Sequence, residues 1–272
     1  MFGRYSRPLL LLRLISIQVR SQLQYRIPFL FDIFAAGTVT FLGFLSLAFV
    51  FQRFGAIAGW SLPEVAFLYG MVEASFGVMD MIFSGFDPGN FGRQVRLGRF
   101  DQVLLRPVGV TLQIFGSEFI MRRLGRAIQG MVILVFAISL VDIHWTAAKL
   151  LYLPVVFASL VIFFGGIFIT GATITFWTVE SIELINILSY GGAEMMSYPM
   201  HIYEDWMRRF FTYIIPAIFI IYYPALYILD KPDPLHMPPY APFLSPLAGL
   251  IVFLAALLFW NFGVRHYQST GT

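Results

Sequence analysis

Cysteine is absent from the 272-residue chain, which excludes disulfides and thiolate metal sites and leaves the redox compartment unread. Charge is scarce too: 12% of residues are charged, against about a quarter in a soluble domain. No Gly-x-x-x-x-Gly-Lys-Ser/Thr run occurs, so ATP is not held here by a phosphate loop. His144, His201, His236 and His266 lack HExxH or HxH spacing, and a lone histidine near a membrane face is more often interfacial than a metal ligand. Gly116-Ser117-Glu118 lacks the flanking glycines of a nucleophile elbow. Neither a metal site nor a catalytic residue is expected, and nucleic acid is not an expected partner.

What the chain has in quantity is apolar surface. Apolar residues make up 58% and aromatics 18%, including thirty phenylalanines, a composition whose solvent is lipid. Six stretches long enough to cross a ~30 Å hydrocarbon core are expected at 28–50, 63–86, 119–140, 150–179, 208–229 and 243–264. The fold class is an all-α integral membrane protein, one transmembrane domain over 1–272, with no internal repeat. Ser61 and Glu64 have the spacing of a capping box at the start of the second span. Gly165, Gly166 and Gly171 in the fourth suit close helix approach. Pro216 and Pro224 fall inside the fifth, where proline removes a helical hydrogen bond, and are candidate hinges.

The segments between spans carry the information about partners. Residues 8–25 put Arg13, Ser16 and Arg20 on one stripe beside Leu11, Leu14, Ile15 and Val19. They form either an interfacial helix with arginines at the headgroups or a plain extension of the first span; the start of the chain does not read as a signal peptide, because Arg13 and Arg20 interrupt its apolar run. Gly92 to Pro107 is too short and too charged to cross. Its Leu97, Phe100 and Leu104 share one face while Arg99 and Arg106 share another; Gly98 divides it and Pro107 ends it. It reads as a surface helix, either a contact for a protein or an anchor on anionic lipid. Residues 180–207, with Glu180, Glu183, Glu194, Glu204 and Asp205 around Leu184–Tyr203, read as a half-buried helix at the inner face or as a re-entrant segment.

Within the second span Glu73 and Asp80 lie seven residues apart, on nearly one helical face. Glu73 is near the midplane, where a charge costs at least ~2.5–3.5 kcal/mol. The pair either ties two spans together or lines a substrate path, with Tyr213, Tyr222 and Tyr223 of the fifth span as aromatic partners. Acids with aromatics suit a cationic, partly apolar cargo. Orientation follows from lysine and arginine. Arg4, Arg7, Arg13, Arg20 and Arg26, the seven from Arg93 to Arg126, Arg208 with Arg209, and Arg265 place fifteen of the 18 on one side. Arg53, Lys149 and Lys231 fall on the other. Both termini and the basic loop are expected in the cytoplasm, with the stems of Arg122, Arg123 and Arg126 reaching back to the headgroups.

Six spans, termini inside, an N-terminal interfacial helix and a basic helix in the first cytoplasmic loop resemble the type-2 class of ABC exporter permeases, and within it the viologen-exporter-like branch of separate bacterial permease subunits. The run Gly98-Arg99-Phe100-Asp101-Gln102-Val103-Leu104-Leu105-Arg106-Pro107 is similar to that branch's loop motif, and Tyr198-Pro199, Ile215-Pro216 and Tyr223-Pro224-Ala225 to its later half. The resemblance implies a multi-pass protein of the bacterial cytoplasmic membrane that exports its cargo, pairs with a second permease, identical or different, and is driven by two copies of an ABC ATPase that bind ATP and Mg. It assigns Leu97, Gly98, Arg99, Phe100, Asp101, Leu104, Leu105, Arg106 and Pro107 to ATPase contact as a coupling helix. A secondary transporter using Glu73 and Asp80 as a proton relay, and a non-transporting membrane scaffold, are the alternatives from other classes.

Overall fold

A computed structural model describes residues 7–178 and 186–269. Arg4, Val179, Glu180, Glu183 and Leu184 lie outside the described residues, and with them parts of the expected arm, fourth span and inner-face segment. The described residues form helices and turns, with one isolated backbone pairing between Ile57 and Trp60. Five segments are long and apolar enough to cross a membrane: Arg26–Phe54, Leu62–Ile82, Met121–Leu140, Ala147–Ile174 and Ala241–His266.

Helix α1 (Arg7–Leu23) runs into α2 (Arg26–Phe54), which stops at Gly55 with φ 75°. Helix α3 (Leu62–Ile82) starts on the expected capping box, in which the Ser61 N–H donates to Glu64 Oε2 at 2.7 Å. The two spans divide the work of the bundle. Within the apolar window of α2 17% of residues are buried, against 83% in α3, so α3 is the central post and most of the surface of α2 is left uncovered by the chain. Against α3 stand α7 (Leu124–Leu140) and α8 (Ala147–Ile174), and α12 (Ser245–His266) packs on α8.

The α3–α7 contact is backbone on backbone. A Cβ added at Gly130 would lie 2.3 Å from the Ala74 nitrogen, and one at Gly77 would lie 2.5 Å from the Ala127 nitrogen. Small residues let helices approach this closely where no hydrophobic force drives them together. Gly130→Val is therefore expected to cost about 1–3 kcal/mol by overpacking. It should appear as a lowered melting temperature of the detergent-solubilised protein, whereas Gly192→Ala, where the added carbon meets nothing within 4 Å, should not move it.

Residues 208–229 do not form one continuous helix. Asp205–Ile214 and Ile218–Ile228 meet at 82°. The cause is Pro216, because a residue before proline is driven from the α region, and Ile215 is extended at φ −116°, ψ 100°. Pro224 makes no such break; it lies in the first turn of α11 (Tyr223–Ile228), where proline is tolerated. Helix α10 (Asp205–Arg209) opens the first arm.

For the described part of 184–203, residues 186–203, the inner-face placement is also corrected. The π turn Ile187–Gly191 leads into α9 (Gly192–Met196), and Tyr190 packs between Phe76 of α3 and Phe168 of α8, with centroids 5.2 and 6.2 Å away. Farther along, His201 Nε2 meets Ala58 O at 3.1 Å and its ring faces Trp60, beyond the start of α3. The segment climbs from mid-bundle to the end opposite the basic loop. Arg208 and Arg209 follow it there, with Arg208 in electrostatic reach of Tyr222. Of the 17 described lysines and arginines, twelve thus belong to the basic end and five, Arg53, Lys149, Arg208, Arg209 and Lys231, to the far end; Arg208 and Arg209 are the two that leave the expected basic side.

Candidate functional site

The basic loop folds as three short helices: α4 (Pro88–Arg96), α5 (Arg99–Leu104) and α6 (Val110–Ser117). Asp87 caps α4 by accepting from the Asn90 N–H at 2.9 Å, with Pro88 in the first turn. Gly98 separates α4 from α5 with φ 62°, a left-handed conformation that glycine adopts without steric cost. The division expected at Gly98 is therefore present.

One side of this unit is built into the bundle. Phe91 and Phe100 are fully buried and meet edge to face at 5.5 Å. Around them close Phe176, following α8, and Trp260 of α12, the latter 5.4 Å from Phe91; Tyr267, beyond α12, stands 4.9 Å from Phe100. The Trp260 Nε1–H donates to Thr111 Oγ1 of α6 at 3.1 Å. Phe100 is thus an internal anchor, and its expected place on an outward apolar edge is corrected. Asp101 is half-buried, and its Oδ2 accepts from Ser269 Oγ at 2.6 Å, so it holds the chain beyond α12.

The other side is open. Leu97 is 55% exposed, Leu104 40% and Leu105 85%; Arg99, Arg106 and Pro107 are exposed beside them. The result is an apolar ridge edged by guanidinium groups on a base fixed to α8 and α12. Glu118, after α6, is half-buried, and Asn90 and Gln94 of α4 each donate to it at 3.5 Å. Burial first, and then the nearby Asp87 carboxylate, raise its pKa.

Glu73 and Asp80 both point into the α3–α7 contact, each to an arginine. Arg126 Nε and Nη2 donate to Glu73 Oε2 and Oε1 at 2.6 and 2.7 Å, a bidentate pair. The Arg126 guanidinium also lies 4.1 Å over the Phe76 ring, and Thr40 Oγ1 reaches Glu73 at 3.5 Å. Arg123 Nη1 is 2.9 Å from Asp80 Oδ2, an ion pair without hydrogen-bond alignment, since both buried oxygens of Asp80 lack a donor among the described residues. Arg123 and Arg126 were expected at the headgroups; they turn inward instead.

The tyrosines proposed to share a path with these acids lie elsewhere. Tyr222 and Tyr223 are buried, Tyr222 stacking on Trp60 at 6.0 Å and meeting His201 Nδ1 at 2.8 Å, while Tyr213 is 78% exposed on the first arm of the bent segment. This far-end cluster includes Lys231, paired with Glu64 Oε1 at 2.7 Å and seated over the Trp60 ring. Beside it Asp230 accepts from Lys149 Nζ at 2.5 Å, and that hydrogen bond holds the Asp230 carboxyl below its ordinary pKa. The acids, the buried tyrosines and Tyr213 therefore do not form one site within a single chain.

Comparison with known proteins gives one finding about family: a family model described as "ABC-2 family transporter protein" matches residues 38–271. No curated protein and no solved structure matches the chain.

Proposed function

The chain belongs to the ABC-2 transporter family, and from that premise we propose that it is the permease subunit of an ATP-driven exporter of the viologen-exporter-like branch. As a family member it is a multi-pass membrane component of a transporter, not by itself a catalytic enzyme, and the family implies an ABC ATPase as partner. In this reading it sits in a bacterial cytoplasmic membrane with the basic end in the cytoplasm. It pairs with a second permease, and two ATPase copies bind the ATP and Mg.

The observation that carries the reading is the ridge of Leu97, Leu104 and Leu105 edged by Arg99 and Arg106, on a base locked by Phe91, Phe100 and Trp260. An exposed apolar ridge set on a rigid mount is what a partner needs in order to push on the spans. Leucines filling a groove supply the contact, and arginines at the rim set register and on-rate. A lipid anchor needs the apolar ridge but no mount. Cargo passes between the two permeases in this proposal, with Tyr213 exposed toward the partner and the Pro216 break as the joint that moves. Glu73 and Asp80 enter as ion-paired residues that set the α3–α7 register. A proton relay through them gains no support from their pairing with Arg126 and Arg123.

Affinity purification of the full chain in mild detergent, from cells expressing its genomic neighbours, tests the assignment. An ATPase recovered in equal number with the permeases is expected; a chain that purifies without any ATPase, and stays inert to ATP, would refute it.

A further inference from the structure

Three arginines open the α7 span, and two of them have internal partners. Arg122 is the third. It is exposed and forms no ion pair within 4.0 Å among the described residues. Asp32 on α2 is likewise exposed and has no ion pair within 4.0 Å among the described residues. Asp32 lies six residues past Arg26 at the start of α2, roughly 9 Å along the axis at ~1.5 Å per residue. In the proposed orientation this end of α2 faces the cytoplasmic headgroups, where the charges of a lipid are within reach of Asp32.

These two groups share one cleft. Asp32 and Arg122 line a cavity of about 390 Å³ at the α1–α2 elbow, with Tyr25 and Ser21 as polar neighbours and Phe29 and Ile120 as apolar wall. They stand too far apart to pair with each other, so the cleft presents a cation and an anion across a gap. We propose that this cleft seats a phospholipid headgroup carrying both charges, with its phosphate on Arg122 and its primary ammonium on Asp32, which is the chemistry of phosphatidylethanolamine. The apolar wall then takes the glycerol and the first acyl carbons. The site depends on the chain being in a membrane and not on whether it is driven by an ATPase.

Native mass spectrometry of the full-length protein in detergent, with phosphatidylethanolamine or phosphatidylglycerol of the same acyl chains added, tests the proposal. The wild type is expected to retain the ethanolamine lipid roughly tenfold more than the glycerol lipid, the scale of one charge-assisted hydrogen bond. Asp32→Asn should bring that ratio near one without lowering retention of the glycerol lipid, and Asp32→Glu should keep the preference. Arg122→Gln should weaken retention of both. Equal retention by the wild type, an undiminished preference in Asp32→Asn, or unchanged binding in Arg122→Gln would each overturn the assignment. So would an Asp32→Asn variant that dissociates a dimer while its lipid preference stands, since a second copy would then be the partner of Asp32. Should Asp32→Asn not fold, Arg122→Gln and Asp32→Glu decide the matter.

Discussion

Leu105→Asp is expected to separate the permease from its ATPase and abolish transport while leaving the fold unchanged. Leu105 is 85% exposed, so an aspartate there meets water in the free chain and disturbs no packing. In the complex the same carboxylate would be carried into an apolar groove. A buried charge without a partner costs several kcal/mol, and each 1.4 kcal/mol is tenfold in affinity, so loss of at least ~100-fold in ATPase binding follows. The contrast with Phe100→Asp separates contact from folding. Phe100 is fully buried against Phe91, Phe176 and Tyr267, and that variant should fail to accumulate at all. Size-exclusion chromatography of co-expressed subunits reads both outcomes. A Leu105→Asp chain that still carries its ATPase would show that the ridge faces lipid.

Arg126→Ala should be the most damaging single change inside the bundle, costing about 3–5 kcal/mol because it strands Glu73 as a buried charge. The carboxylate loses two hydrogen bonds of 2.6 and 2.7 Å and keeps only a long contact from Thr40. Arg123→Ala should cost less, because Arg123 is the more exposed arginine and its pair with Asp80 lacks hydrogen-bond alignment. Replacing both partners removes the stranded charge, so Glu73→Leu with Arg126→Met should recover most of the loss. Thermal unfolding followed by fluorescence-detected chromatography checks the order: Arg126→Ala lowest, the double variant close to wild type. The recovered double variant also separates a structural tie from a cargo contact. Transport that survives in it marks Glu73 as a tie; transport lost from a well-folded double variant returns Glu73 to the substrate path.

Much of the fold was legible because it is local. The capping box at Ser61 and Glu64 and the break at Gly98 are matters of a few adjacent residues, and both stand as expected. What was misread depends on direction or on distant partners. Periodicity groups Leu97, Phe100 and Leu104, but it does not say which of them turns inward, and Phe100 alone finds a core made largely by Phe176 and Trp260. Arg126 is 53 residues from Glu73, and no spacing rule pairs them. A better clue lies in composition: two acids in a span call for two cations, and Arg123 and Arg126, placed at the headgroups by their position alone, stand at the start of a neighbouring span. The sequence position of Pro216 suggests a kink in a crossing helix, whereas its effect on Ile215 ends the helix outright. Arg208 and Arg209 looked cytoplasmic because a fifth span was assumed to start at them; once 187–202 climbs the bundle, that basic pair belongs to the far end.

In this proposal the ridge around α5 touches an ATPase, and the cysteine-free chain allows that contact to be measured directly. A single cysteine placed by Leu105→Cys, cross-linked in intact membranes with a short thiol-reactive photoprobe, reports what lies against the ridge. An adduct to the co-expressed ATPase is expected, strong at position 105 and absent from an Arg53→Cys control at the far end. Labelling of lipid alone at position 105, with the ATPase present and assembled, would place the ridge against the membrane and rule out the coupling contact.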